Sequence, residues 1–202
     1  MTCMDARELS ITGLWEFTSD DPEGLPYDPD SFRTALGRDL EIGHLHHAQG
    51  LLGMLHGLRF SLLPSPAEWT YLFCSRGAVL VVVADLRTGS PTFGRHEAVR
   101  LDAATPAGLA VTPGLAHGFT ALEDDSVLTH LGSRTYRPEK DRSVHALDPT
   151  LRLPWPSGEG APAPSLSADD SAAPAVADLK KAGRLPTYGD WRAHEVALRS
   201  GT

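Results

Sequence analysis

The chain has 202 residues, 41% of them hydrophobic, enough to bury one sizeable core, and reads as a single domain over 1–202. Its 18 basic against 26 acidic side chains leave a formal charge of −8, which repels polyanions and argues against a nucleic-acid or anionic-membrane partner. Cys3 and Cys74 stand far apart with no CxxC spacing, and no run approaches the roughly 18 apolar residues of a membrane span. A soluble cytoplasmic protein without a disulfide framework or a thiolate zinc site is expected.

In chain order, DPDSFRTAL (28–36) reads as a short helix capped by Asp28 or Asp30, and His44-Leu45-His46 has the alternate spacing that puts two imidazoles on one face of a strand. YLFC (71–74) and the β-branched run AVLVVVADL (78–86) are separated by Ser-Arg-Gly and read as a hairpin, the second strand buried on both faces. GSPTFG then makes a rigid turn in which Phe93 covers an edge. EAVRL (97–101), GLAVT (108–112), GFTAL (118–122) and SVLTHLGS (126–133) follow as short strands bounded by Gly, Pro or Asp. The Pro-Gly turn in TPGLAHGF makes His117 the first inward residue of its strand. Residues 157–175 have a linker-like composition leading to a helix around 176–183. Many short strands separated by turns predict an antiparallel barrel or sandwich.

MLHGLRF (54–60), ADLRTGSPTFGR (84–95), VTPGLAHGF (111–119), RTYRPEKD (134–141), LDPTLRLPWP (147–156), LSADDSAAP (166–174) and LPTY (185–188) together resemble the dTDP-4-dehydrorhamnose 3,5-epimerase family, over roughly residues 17–192. The resemblance implies an all-β, cupin-type antiparallel β-barrel of jelly-roll form with its core at roughly 40–150, a C-terminal linker and helix over 157–202, and a homodimer that exchanges N-terminal strands.

Position by position, the resemblance also implies altered chemistry. The family's histidine base stands in a segment that usually reads RGLHF, and HGLRF here puts Arg59 at the base and His56 at the phosphate-contacting arginine. The family's tyrosine acid corresponds to His130 and its ketone-polarising lysine to Thr70, while His117 and Asp170 match. Cations that hold the nucleoside diphosphate correspond to Glu23 and Asp169, and the aromatic turn reads Leu25-Pro26-Tyr27. A guanidinium stays protonated throughout the accessible pH range, so Arg59 can stabilise an oxyanion but cannot act as a base. Two lost charge-assisted contacts at about 1.5–3 kcal/mol each predict a substrate lacking a nucleotide.

The expected activity is therefore the metal-independent isomerisation or cyclisation of a non-nucleotide biosynthetic intermediate, as in secondary metabolism. Arg59 stabilises an anion, His130 and His56 exchange protons, and His117 with Asp170 orients them. Phe60, Thr70, Tyr71, Phe73, Phe119, His44 and His46 contact the small-molecule substrate. A dTDP-4-keto-6-deoxyhexose 3- or 3,5-epimerase is the alternative, and a barrel that binds without turnover is a third. No cofactor is expected. A nonstandard metal site from His44, His46 and His117 with His56 or His130 is weighed and set below solvated or hydrogen-bonded histidines, because the ligand positions used by metal-binding cupins hold other residues.

Overall fold

The computed structural model describes residues 4–21, 23–24, 26–64, 67–133, 142–158 and 161–200; Cys3, Leu25 and the segment 134–141 lie outside it. Twelve strands and four helices are present among the described residues. In chain order they are β1 (Asp5–Glu8), β2 (Leu14–Thr18), α1 (Pro29–Leu36), β3 (His44–Gly50), β4 (Met54–Phe60), β5 (Thr70–Arg76), β6 (Ala78–Asp85), β7 (His96–Asp102), β8 (Ala107–Val111), β9 (Leu115–Ala121), β10 (Ser126–Gly132), β11 (Arg142–Ser143), β12 (Ser165–Leu166), α2 (Ala168–Ser171), α3 (Val176–Lys181) and α4 (Tyr188–Ser200). One six-stranded sheet runs β1-β2-β8-β5-β10-β3, and the second runs β11-β4-β9-β6-β7 with β12 added to β4. The ladders between named strands are antiparallel except the short β12–β4 pair.

The sheets face each other over a core that takes Leu72, Cys74, Leu109 and Leu128 from the first and Val79, Val81, Val83 and Phe119 from the second. Each buried aliphatic or aromatic side chain of this kind contributes about 1.5–3 kcal/mol through removal from water. Strand β6 is buried on both faces, as its β-branched run predicts. Its outward residues Val82 and Ala84 pack under a C-terminal segment that supplies Leu151, Trp155, Val176 and Leu179. Helix α1 covers the outer face of the first sheet with Phe32 against Phe17, Trp69 and Tyr71. Asp28 caps α1, accepting from the Ser31 amide at 2.8 Å, and Pro29 opens it.

Strands β5 and β6 do not form the predicted hairpin. The partners of β5 are β8 and β10, those of β6 are β9 and β7, so the two lie in different sheets. The reason is Gly77, whose φ of +67° turns the chain out of one sheet and into the other. The C-terminal region is also more structured than its composition suggests: the linker-like stretch contains β12 and α2, and α4 follows the predicted helix. A buried pair, Arg87 and Asp85, ties these parts together. Arg87 donates to both Asp85 oxygens and to the Thr12 carbonyl and lies 4.6 Å from the Trp191 ring of α4. No helix among the described residues is long and apolar enough to cross a membrane.

Candidate active site

Five strands and one short helix aim polar side chains into a cavity of about 370 Å³ between the sheets. Alternation along β3 points His44 and His46 inward and Leu45 and His47 outward, where His47 Nδ1 meets Thr129 Oγ1 at 2.8 Å. On β10, His130 stands opposite His46 in register, their ring centroids 5.9 Å apart. On β9, His117 and Phe119 share the inward face, and His117 lies 5.8 Å from His130.

His56 and Arg59 are three residues apart on β4, a spacing that regular pleating sends to opposite faces. The ladder shifts between them, opposite Phe119 and His117, and Gly57 with φ +97° absorbs the irregularity. A Cβ on Gly57 would sit 2.9 Å from the His117 carbonyl oxygen, and one on Gly118 would sit 2.5 Å from that of His56, so both glycines are needed for the close approach of β4 and β9. The result is that His56 and Arg59 line the same cavity. His56 stacks on Phe119 with centroids 4.5 Å apart and rings within 6° of parallel.

Asp170 comes from α2. Ser167 caps this helix, accepting from the Asp170 amide at 3.1 Å and donating to Asp170 Oδ2 at 2.9 Å. The other carboxylate oxygen accepts from Arg59 Nη2 at 2.9 Å. Asp170 is buried and Arg59 half-exposed, so the carboxylate is the fixed member and the guanidinium the one it positions. Glu68, just before β5, places Oε1 3.5 Å from His44 Nδ1.

Burial controls the inner imidazoles. It pushes His117 down to about 4, with the Arg59 guanidinium acting in the same direction. It holds His130 well below the ordinary histidine value, helped by His117, His46, His44 and His56. His56 is lowered too, first by burial; Asp170 opposes this and Arg59 adds to it. All three are therefore neutral at neutral pH. Among the described residues, Nε2 of His56 and of His130 is buried without a hydrogen-bond partner. No group of three or more His, Cys, Asp and Glu among the described residues is arranged to hold a metal ion.

Of the residues singled out from sequence, Arg59, His130, His56, His117, Asp170, Thr70, Phe119, His44 and His46 line this cavity. Phe60 reaches its margin, but its side chain is buried in the core under the C-terminal segment. Tyr71 and Phe73 point the other way. They alternate with Thr70 and Leu72, so Tyr71 is buried against α1, donating to the Pro26 carbonyl at 2.8 Å, and Phe73 packs on the same cluster. Ser61, Glu68 and Thr112 also line the cavity and were not anticipated. Ser167 was missed as well, although Ser-x-x-Asp ahead of a short helix is a legible capping pattern.

The family model for dTDP-4-dehydrorhamnose 3,5-epimerase matches residues 25–178. A Mycobacterium tuberculosis dTDP-4-dehydrorhamnose 3,5-epimerase is 41% identical over 191 residues, covering 92% of this chain and 94% of that one. The structure of the Mycobacterium tuberculosis rmlC epimerase superposes with a TM-score of 0.90 at 39% identity, covering 97% of this chain and 100% of that one. ChmJ, a 3'-monoepimerase from Streptomyces bikiniensis in complex with dTDP-quinovose, superposes with a TM-score of 0.85 at 36% identity, covering 96% and 98%. These relatives overturn the expectation of a substrate lacking a nucleotide. That expectation weighed the charge reversals at Glu23 and Asp169, whereas the similarity extends over the whole scaffold that frames the cavity. The reading without turnover gives way with it. The chain belongs to the dTDP-4-dehydrorhamnose 3,5-epimerase family and is an isomerase of the sugar-nucleotide epimerase superfamily.

Proposed function

We propose that the chain epimerises a dTDP-4-keto-6-deoxyhexose beside its ketone, as a 3- or 3,5-epimerase of deoxysugar biosynthesis in secondary metabolism, with acid and base rearranged relative to its family. The observation that carries this reading is the pair of neutral imidazoles, His56 and His130, whose unpartnered Nε2 atoms flank Phe119 in the cavity that also holds Arg59. Epimerisation needs a base to take the proton α to the ketone and an acid to return one to the opposite face, each worth about 10²–10⁴ in rate. His56 and His130 serve these two roles. Arg59, held by Asp170, faces the negative charge that grows on the ketone oxygen as the enolate forms, and His117 packs between Arg59 and His130. We read the two facing sheets as a cupin-type jelly-roll barrel, the chain as one domain over 1–202, and the working protein as a cytoplasmic homodimer.

The test is solvent exchange. Incubation with dTDP-4-keto-6-deoxyglucose in D₂O should introduce deuterium at C3, or at C3 and C5, and the pattern separates the 3-epimerase from the 3,5-epimerase. A dTDP-sugar at millimolar concentration should also raise the melting temperature. No exchange above the buffer rate, together with no thermal shift, would refute the assignment.

A further inference from the structure

Phe119 belongs to two places at once. It is 2% exposed and part of the core between the sheets, where Val81 stands opposite it on β6, and it also lines the cavity. A Cβ on Gly50 of β3 would lie 3.2 Å from Phe119 Cε2, so the glycine leaves the space that the ring fills. A ring packed at core density cannot turn without opening a void, which makes Phe119 a fixed surface.

Two imidazoles rest on that surface. His56, its partner in the β4–β9 ladder, lies parallel to it, with centroids 4.5 Å apart and planes 6° apart. His130 meets it edge to face, with centroids 6.4 Å apart and planes 62° apart. Both arrangements are favoured for flat rings, and together they fix the tilt of one imidazole against the other. His130 is bounded by His46 and His117 as well, so loss of the phenyl ring would free His56 more than His130.

We propose that Phe119 is the positioning residue of the epimerisation, the ring that holds His56 and His130 apart so that the proton leaving the sugar and the proton arriving use opposite faces. This rests on the epimerase reading. The ring itself transfers no proton. Inversion needs two groups kept apart, because a base free to swing takes the proton, exchanges it with solvent and returns one to the same face. Exchange then outruns inversion. A misplacement of about 1 Å is enough to cost about 10²-fold in rate.

Phe119→Leu keeps apolar bulk and removes the flat face. With dTDP-4-keto-6-deoxyglucose in D₂O, initial rates by proton NMR read deuterium incorporation and inversion separately. The expected result is a kcat for inversion lowered by about tenfold to a hundredfold at nearly constant KM, with a several-fold higher ratio of exchange to inversion. Phe119→Met, nearer in volume and equally without a face, should match it, whereas Phe119→Tyr keeps the ring and should keep the parent ratio. Phe17→Leu truncates a buried ring in the separate cluster under α1, and should lower the melting temperature without moving kcat or the ratio. In the unsubstituted protein the ring protons of His56 should be shifted upfield by the phenyl ring current. An unchanged ratio in a folded Leu or Met variant, or the same rise in Phe17→Leu, overturns the proposal and leaves the epimerase reading standing. So does a parent His56 resonance without the ring-current shift, a measurement that needs no variant to fold. Neither exchange nor inversion in the parent removes the epimerase reading, and the proposal with it.

Discussion

In the proposed mechanism Asp170 acts through Arg59. Its carboxylate is fixed by Ser167 on one oxygen and bonded to the guanidinium on the other, so it sets where the positive charge sits. Asp170→Asn keeps the shape and removes the charge, and is expected to lower kcat by about tenfold to a hundredfold, the usual scale for a supporting residue. Arg59→Ala should cost more, about 10²–10³, since it removes the donor facing the developing oxyanion. The decisive measurement is the double variant: if Asp170 works by positioning, Asp170→Asn adds almost nothing in the Arg59→Ala background. Independent, additive losses would assign Asp170 a role of its own.

At the scale of elements, Gly77 is the residue that sends the chain from β5 in one sheet to β6 in the other. Its φ is +67°, and a Cβ there would lie 2.5 Å from Ser126 Oγ and 3.2 Å from Ser126 Cα. Gly89 has φ +82° but open space around it. Gly77→Ala combines left-handed strain with a clash and should destabilise by about 2–4 kcal/mol, whereas Gly89→Ala carries the strain alone, about 1–2 kcal/mol. Urea midpoints at unchanged m-value compare them, and equal losses would mean that the contact with Ser126 relaxes freely. The same corner marks where local reading stops. Turn residues and β-branched runs reveal where strands begin and end, because those signals are local, and the strand positions read from them correspond closely to β5 through β10. Sheet membership is a tertiary matter, and Ser-Arg-Gly looks the same whether it closes a hairpin or turns a corner. Side-chain direction was partly legible: Thr70 and Tyr71 are adjacent on a strand, so both cannot face one cavity. The shared orientation of His56 and Arg59 was not, because it depends on an irregularity at Gly57 that spacing alone does not reveal.

For the whole molecule, the site's buried histidines tie stability to pH. The nature of the substrate was the part least legible from residues, since two reversed charges carry little weight against a scaffold that is similar from end to end. Stability should fall as the solution is acidified. An unfolded chain protonates histidine near pH 6.5, while the fold keeps His117 neutral down to about 4 and lowers His56 and His130 as well. Above about 6.5 both states are neutral at these sites and burial of the imidazoles costs nothing electrostatically. Below it the unfolded chain binds protons that the fold refuses, so stability falls with pH until the folded value is reached. At about pH 5 the loss from His117 alone is about 2 kcal/mol, His56 and His130 act in the same direction, and carboxylates, which titrate lower, contribute little in that interval. Melting temperature should therefore drop between about pH 7.5 and 5, and His117→Asn should flatten the drop relative to the parent. A melting temperature that stays level over this interval, or a drop indifferent to His117, would mean that the buried imidazoles accept protons in the folded state, and the base assigned to the epimerisation would then be spent before substrate arrives.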